Sequence, residues 1–202
     1  WAILGIDYRL SPEHPFPAAL DDSLLAFAWL IEHAEPLGID PARIAIVGDS
    51  SGANLALAAS LTRRDVGRQA PAALALFYPC LTPNIDTESH RTNGDGRFGL
   101  STERVLHYWR NYVGEPNDGL PLLATPSLAA LEGLPPIYVC LAELDPLADD
   151  SRRLADRLAK AGVPVRLDSW PGAIHGFMQM TRDVPLARNA VAAAVDFLLR
   201  WL

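Results

Sequence analysis

The sequence predicts an α/β domain built on an open, mostly parallel sheet with helices on both faces. Three observations carry that prediction. Short apolar runs alternate with longer segments in which apolar residues recur every three or four positions, the rhythm of strand and helix in turn. The short runs are almost continuously apolar, as strands covered on both faces must be. The chain has 202 residues, half of them hydrophobic, enough to bury roughly 70% of the surface its unfolded form exposes. A single domain over residues 1–202 is therefore expected.

Taken in order, residues 3–8 read as the first strand. Residues 18–34 read as a helix, because Leu20, Leu24, Phe27 and Ile31 repeat at three or four. Residues 43–48 form a short apolar run that reads as a buried strand, followed by an Ala- and Leu-rich helix over 51–64. Residues 72–78, 137–142 and 163–169 are further strands, and 148–161 and 186–202 further helices. Residues 79–135 break the rhythm with Pro79, Pro83, Pro116, Pro121, Pro126, Pro135 and the run Gly94-Asp95-Gly96-Arg97-Phe98-Gly99. One helix fits inside, over 102–113, with Ser101 or Thr102 as its N-cap. The segment is expected to pass over the carboxyl edge of the sheet as a substrate wall; a solvated connector is the plainer alternative.

Composition excludes several function classes. A net charge of −7 argues against the basic face of a nucleic-acid binder. No apolar run approaches the ~18–20 residues of a transmembrane helix. Two cysteines, Cys80 and Cys140, are too few for a disulfide scaffold and lack metal-ligand spacing. They fit a reducing compartment, so a cytoplasmic location is expected. The chain opens on Trp1 and an apolar run, so its start says nothing about a signal peptide.

In open α/β sheets function gathers at the carboxyl ends of the strands. After strand 43–48 comes Gly48-Asp49-Ser50-Ser51-Gly52 and then a helix. This is G-x-S-x-G in the strand-turn-helix context of a nucleophile elbow. The turn is sharp enough that its flanking positions, Gly48 and Gly52, are expected to need the absence of a side chain. It lifts the Ser50 hydroxyl above the sheet at a helix N-terminus, where the dipole favours negative charge. The backbone N–H of Ser51 is expected to donate to a developing oxyanion. A serine hydroxyl needs a base, and the base an orienting carboxylate. Glu143-Leu144-Asp145-Pro146-Leu147 follows strand 137–142, and Gly172-Ala173-Ile174-His175-Gly176-Phe177 follows strand 163–169. Ser50, Asp145 and His175 thus occur in the order expected of an elbow fold. Singly, each has a plainer reading: a chance motif, a turn aspartate before proline, a loop histidine. His33 and His107 read as helix-surface residues and His14 and His90 as loop residues.

The residues also resemble a known family. Tyr8-Arg9-Leu10-Ser11-Pro12-Glu13-His14-Pro15-Phe16-Pro17-Ala18-Ala19 is similar to the Y-R-L-A-P-E-H-P-F-P-A-A stretch of the hormone-sensitive-lipase-like esterases, α/β-hydrolases that cleave carboxylic esters. Gly48-Asp49-Ser50-Ser51-Gly52-Ala53-Asn54-Leu55-Ala56 resembles their G-D-S-A-G-G-N-L-A elbow, Asp145-Pro146-Leu147 their D-P-L motif and His175-Gly176-Phe177 their H-G-F motif. By this likeness Ser50 is the nucleophile, Asp145 the acid and His175 the base. Ser51 and Ala53 depart from the usual Ala and Gly, but a backbone N–H donor survives either change. The family's H-G-G-G segment, whose amides complete the oxyanion hole, is expected upstream of Tyr8 and is not in the chain. The resemblance therefore implies a longer esterase of which this is a piece, lacking early strands and cap helices and nearly inactive alone. It also implies that strand 163–169 and helix 186–202 could form a homodimer contact; packing of the helix's apolar end on the sheet is the plainer alternative.

The expected function is hydrolysis of short- to medium-chain carboxylic esters, a small-molecule substrate class, through an acyl-enzyme. No metal or organic cofactor is needed. The alternatives are an impaired fragment, a non-catalytic ligand-binding protein of the same fold, or an amidase or peptidase using the same triad. Phe98, Tyr108, Trp109 and Phe177 are expected either to line a pocket or to pack in the core.

Overall fold

The computed structural model of the protein describes residues 1–114 and 119–202. Pro116 of the proline-rich stretch lies outside the described residues. Four parallel strands form one sheet in the order β1 (Ala45–Asp49), β2 (Ala73–Phe77), β3 (Ile137–Leu144) and β4 (Val165–Ile174). The helices are α1 (Ala18–Glu32), α2 (Ser51–Asp65), α3 (Glu88–Asn93), α4 (Thr102–Val113), α5 (Ala148–Lys160) and α6 (Pro185–Leu198).

The pleat of the central strands explains the layers. Leu74 and Leu76 of β2 and Ile137 and Val139 of β3 pack with Leu57 and Leu61 of α2 and Leu154 and Leu158 of α5. The alternate positions, Ala73, Ala75, Tyr138 and Cys140, pack with Ala187, Ala190, Ala194 and Phe197 of α6. Both sets are buried, which is why these strands read as continuous apolar runs. Successive strands add in one direction, so right-handed crossovers put α2 and α5 on the same face. α6 covers the other face. α1 packs Ala19 and Leu20 on the outer side of α2, against Leu55, Ala58 and Ala59.

Three expectations need correction. Residues 3–8 are not a strand: residues 1–10 carry no regular structure, and Ile3 is 94% exposed. A strand exists only through a hydrogen-bonded neighbour, and among the described residues β1 pairs with β2 alone. β4 extends past residue 169 to Ile174. It does so through an irregularity in which Ala142 pairs Trp170 but Leu144 pairs Ile174, so β4 spends two extra residues there. His90 is not a loop residue. It lies in α3, a six-residue helix with no apolar periodicity, and is 8% exposed. Its Nδ1 is 2.8 Å from Thr102 Oγ1, and burial lowers its pKa. The helix within the proline-rich stretch starts at Thr102, where Ser101 caps it by accepting from the Arg104 N–H. Among the described residues no helix is long and apolar enough to cross a membrane.

Candidate active site

β1 ends at Asp49 and α2 begins at Ser51, so a single residue makes the turn. That residue, Ser50, has φ 51° and ψ −113°, a conformation that L-residues other than glycine rarely adopt. The turn is docked by main chain on the end of β2 and the loop after it: Ser50 N–H donates to Phe77 O at 2.9 Å, and Cys80 N–H donates to Ser50 O at 3.3 Å. A β-carbon at Gly48 would overlap the Gly52 carbonyl, so Gly48 is required by close approach. A β-carbon at Gly52 would meet nothing within 4 Å. The steric demand expected at both glycines falls on one of them, because it is the Gly52 backbone, not its side-chain position, that lies beneath Gly48.

Ser50 Oγ lies 3.0 Å from His175 Nε2, and His175 Nδ1 lies 2.7 Å from Asp145 Oδ2. A carboxylate only accepts, so Nδ1 carries the ring proton and donates it to Asp145. Nε2 then presents its lone pair to the Ser50 hydroxyl, which donates. Asp145 is fully buried. Its Oδ1 accepts from Leu147 N–H at 2.9 Å, the turn expected of an aspartate before proline. One oxygen thus makes the turn while the other meets the histidine.

The supports of this pair come from residues that sequence patterning did not single out. Asn93 Nδ2 donates to the carbonyls of Glu143 and Asp145 at 3.2 and 3.4 Å. Ser89 Oγ donates to Pro146 O at 2.6 Å. α3 therefore grips the acid loop. Glu143 Oε2 accepts from Gly172 N–H at 2.7 Å, tying the strand that carries Asp145 to the irregular stretch of β4 just before His175. Asp150, in the first turn of α5, accepts from Leu81 N–H at 2.8 Å and Thr82 N–H at 3.2 Å. Burial pushes its pKa up to about 6 against those hydrogen bonds.

A cavity of about 310 Å³ opens at Ser50. Ser51, Asn54 and Leu55 of α2 form its floor, Tyr108, Trp109 and Tyr112 of α4 one wall, and Tyr8, Arg9 and Leu10 the other. The walls meet where Phe16 N–H donates to Tyr112 O at 2.7 Å and the Phe16 and Tyr112 rings cross edge to face. Arg9 is held in a two-pronged ion pair by Asp22. That pairing holds the Asp22 carboxyl down at about 2. Of the four aromatic candidates, Tyr108 and Trp109 line the cavity. Phe177 is core, 2% exposed, and Phe98 lies under the Arg97 guanidinium. Ser51 is the first residue of α2, so its N–H has no helical partner and lies beside Ser50.

Residues 1–179 match the family described as alpha/beta hydrolase fold. The chain belongs to that family. Among relatives of this alpha/beta hydrolase, the carboxylesterase NlhH of Mycobacterium tuberculosis is 37% identical over 204 residues, covering 99% of this chain and 64% of its own. An ethyl acetate hydrolase of Pseudomonas putida is 35% identical over 204 residues, covering 99% and 63%. A solved esterase of the bacterial hormone-sensitive lipase family is 36% identical with a TM-score of 0.88, covering 96% of this chain and 64% of that one. The resemblance to hormone-sensitive-lipase-like esterases therefore runs through nearly the whole alpha/beta hydrolase chain. The chain spans just under two thirds of the length of these relatives.

Proposed function

We propose that this site hydrolyses small carboxylic esters by two-step acyl transfer. The observation that carries the reading is the relay from Ser50 Oγ through His175 to the buried Asp145 carboxylate, at 3.0 and 2.7 Å. His175 Nε2 takes the Ser50 proton as Oγ attacks the ester carbonyl, and Asp145 steadies the imidazolium that forms. The Ser51 N–H, at the positive end of α2, donates to the oxyanion. The protonated His175 gives its proton to the departing alcohol. Water then attacks the acyl-enzyme with His175 again as base.

The cavity supports a small neutral substrate. Its volume is at the low end of ligand pockets, and its walls are mostly apolar and aromatic. We assign residues 79–135 the role of substrate wall, since Cys80 and the α4 residues Tyr108, Trp109 and Tyr112 come from that stretch. Short acyl groups fit this volume, and relatives named as carboxylesterase and ethyl acetate hydrolase favour the ester reading over the amide one. Self-association through α6 is supported by Val191, Val195 and Leu199, which stay 36–53% exposed; sedimentation of Leu199→Glu against the parent chain tests it.

The deciding experiment pairs two measurements on the purified chain, read as ratios to Ser50→Ala because turnover by this chain alone is expected to be slow. A fluorophosphonate should label Ser50, because only an activated serine reacts. p-Nitrophenyl acetate and butyrate should turn over faster than the octanoate and far faster than the matching anilide. Labelling no faster than that of Ser50→Ala would sink the reading, and equal anilide turnover would turn it toward amide chemistry.

A further inference from the structure

Four strands end along one edge of the sheet, and the residue after each stands at the same centre. Ser50 follows β1, Asp145 follows β3 and His175 follows β4. The residue after β2 is Tyr78, which the relay does not use.

Tyr78 has φ 36° and is 1% exposed; among the described residues Ser50 is the other non-glycine with positive φ. Its N–H still donates to Cys140 O at 2.8 Å, so the backbone remains docked on β3. The conformation has a clear consequence. Leu74 and Leu76 face α2 and α5, while Ala73, Ala75 and Phe77 face α6. Regular alternation would send Tyr78 to the side of Leu76. Instead it packs on the α6 side, with Phe77 and Phe177. The left-handed backbone turns the side chain over. Such a conformation is costly for a bulky residue and persists where the surroundings over-determine it.

What the turn achieves is contact with the histidine. The Tyr78 ring lies 4.9 Å from the His175 ring, tilted by 60°, and 5.7 Å from the Phe177 ring. Its hydroxyl donates to Asp49 Oδ2 at 3.2 Å, on the residue before Ser50. Burial, then the Asp49 carboxylate, raises the pKa of that hydroxyl, so it stays a donor. The imidazole hangs from its β-carbon and is hydrogen-bonded at its two nitrogens. Both hydrogen bonds depend on the side-chain rotamer, and neither bears on the face of the ring. The Tyr78 ring packs there and opposes rotation of the imidazole out of line with Ser50 and Asp145.

We infer that Tyr78 is a positioning residue: its ring is the seat that sets the tilt of His175, and its hydroxyl ties that seat to the nucleophile's strand through Asp49. The inference rests on the ester-hydrolysis reading for its kinetic consequences, but not for the geometry itself.

The test uses the full chain. Tyr78→Leu removes the seat. It should lower kcat on p-nitrophenyl butyrate and the rate of fluorophosphonate labelling by about 10–100-fold with KM unchanged, the scale of a misplacement of ~1 Å. Tyr78→Phe keeps the ring and loses only the tie, so the loss should be about two- to tenfold. A third readout does not need turnover. The His175 Nδ1 proton, held against Asp145, gives a far-downfield proton NMR signal, which should persist in Tyr78→Phe and shift or vanish in Tyr78→Leu. If the parent chain neither labels nor turns over, the ester reading fails, and the NMR signal alone still decides the role of Tyr78. A folded Tyr78→Leu that keeps the signal overturns the inference, as does one that keeps the parent labelling rate where the parent labels. Should Tyr78→Leu not fold, the cycle of Tyr78→Phe, Asp49→Ala and the double variant decides, read as labelling rate, or as the shift of the Nδ1 proton where the parent does not label. A double variant no worse than the worse single supports the tie. Additive effects, or none, overturn it.

Discussion

The proposed nucleophile and the proposed acid–base pair are held in place by different means. Ser50 follows β1, which among the described residues has one strand neighbour and whose Val47 is 56% exposed. Its position comes from main chain: one strained residue, the Gly48–Gly52 approach and hydrogen bonds with the backbone of Asn54, Phe77 and Cys80. Asp145 and His175 follow β3 and β4, and β3 has neighbours on both sides with residues 137–142 at most 1% exposed. Their position comes from burial and from side chains distant in sequence: Asn93, Ser89 and Glu143. A sharp turn can aim one atom by itself. Two side chains from separate loops can be brought to 2.7 Å only by a surrounding that fixes both.

The largest effects come from breaking the relay on either side. Ser50→Ala should lower turnover by roughly 10⁴–10⁶-fold. Asp145→Asn should lower kcat by about 10³–10⁴-fold at nearly unchanged KM, because the amide no longer selects the tautomer that leaves Nε2 free. Single-turnover assays with p-nitrophenyl butyrate check both, and an Asp145→Asn chain as fast as the parent would remove the acid from the relay. Next come the strands beneath. Leu76→Ala, in a fully buried position of β2, should cost about 2–5 kcal/mol in urea unfolding. Val47→Ala, on the exposed side of β1, should cost within about 0.5 kcal/mol. Equal losses would mean that the two sides are not built differently.

The same contrast explains what was legible in the sequence. The elbow is local, so Gly48-Asp49-Ser50-Ser51-Gly52 between an apolar run and a helix was readable directly. So was α4, whose start is marked by the Ser101 cap. α3 was not, because Glu88–Asn93 has no apolar period and is held by contacts to a loop more than fifty residues away. Residues 3–8 looked like a strand because apolarity is a property of the segment, whereas pairing is a property of its neighbours. Tyr78 read as a last strand residue, since nothing in a tyrosine signals a positive φ. The Tyr8–Leu10 wall was visible only as a family likeness, with no chemistry of its own to mark it.

Asp150 offers a smaller effect on the buried side. It is 6% exposed, and its carboxyl titrates at about 6 in the fold against about 3.9 in an unfolded chain. Between those values the folded state binds the extra proton. Its contribution to stability is therefore complete below about pH 4, falls as pH rises to about 6, and is level above. The loss is about 2–3 kcal/mol. Asp150→Asn can still accept from Leu81 and Thr82, so its unfolding free energy should gain on the parent's across that window. Urea midpoints at pH 4, 5, 6 and 7 check it; parallel curves for the two chains would show that Asp150 does not titrate there.

Asn93→Ala probes the grip on the acid loop and should have a smaller effect than the relay variants or Leu76→Ala. The side chain is 6% exposed and donates to two carbonyls at 3.2 and 3.4 Å, one of them on Asp145 itself. Losing those bonds should cost about 1–2 kcal/mol of stability. If α3 only fills space, the cost ends there. If it fixes the acid, kcat should also fall about three- to tenfold, as expected when a hydrogen bond that orients a reacting group is lost. Asn93→Asp separates the two accounts, because it keeps the volume but offers no donor to either carbonyl. An Asn93→Asp chain with parental kcat would remove Asn93 from that grip, and the acid–base side would then rest on Ser89, Glu143 and burial.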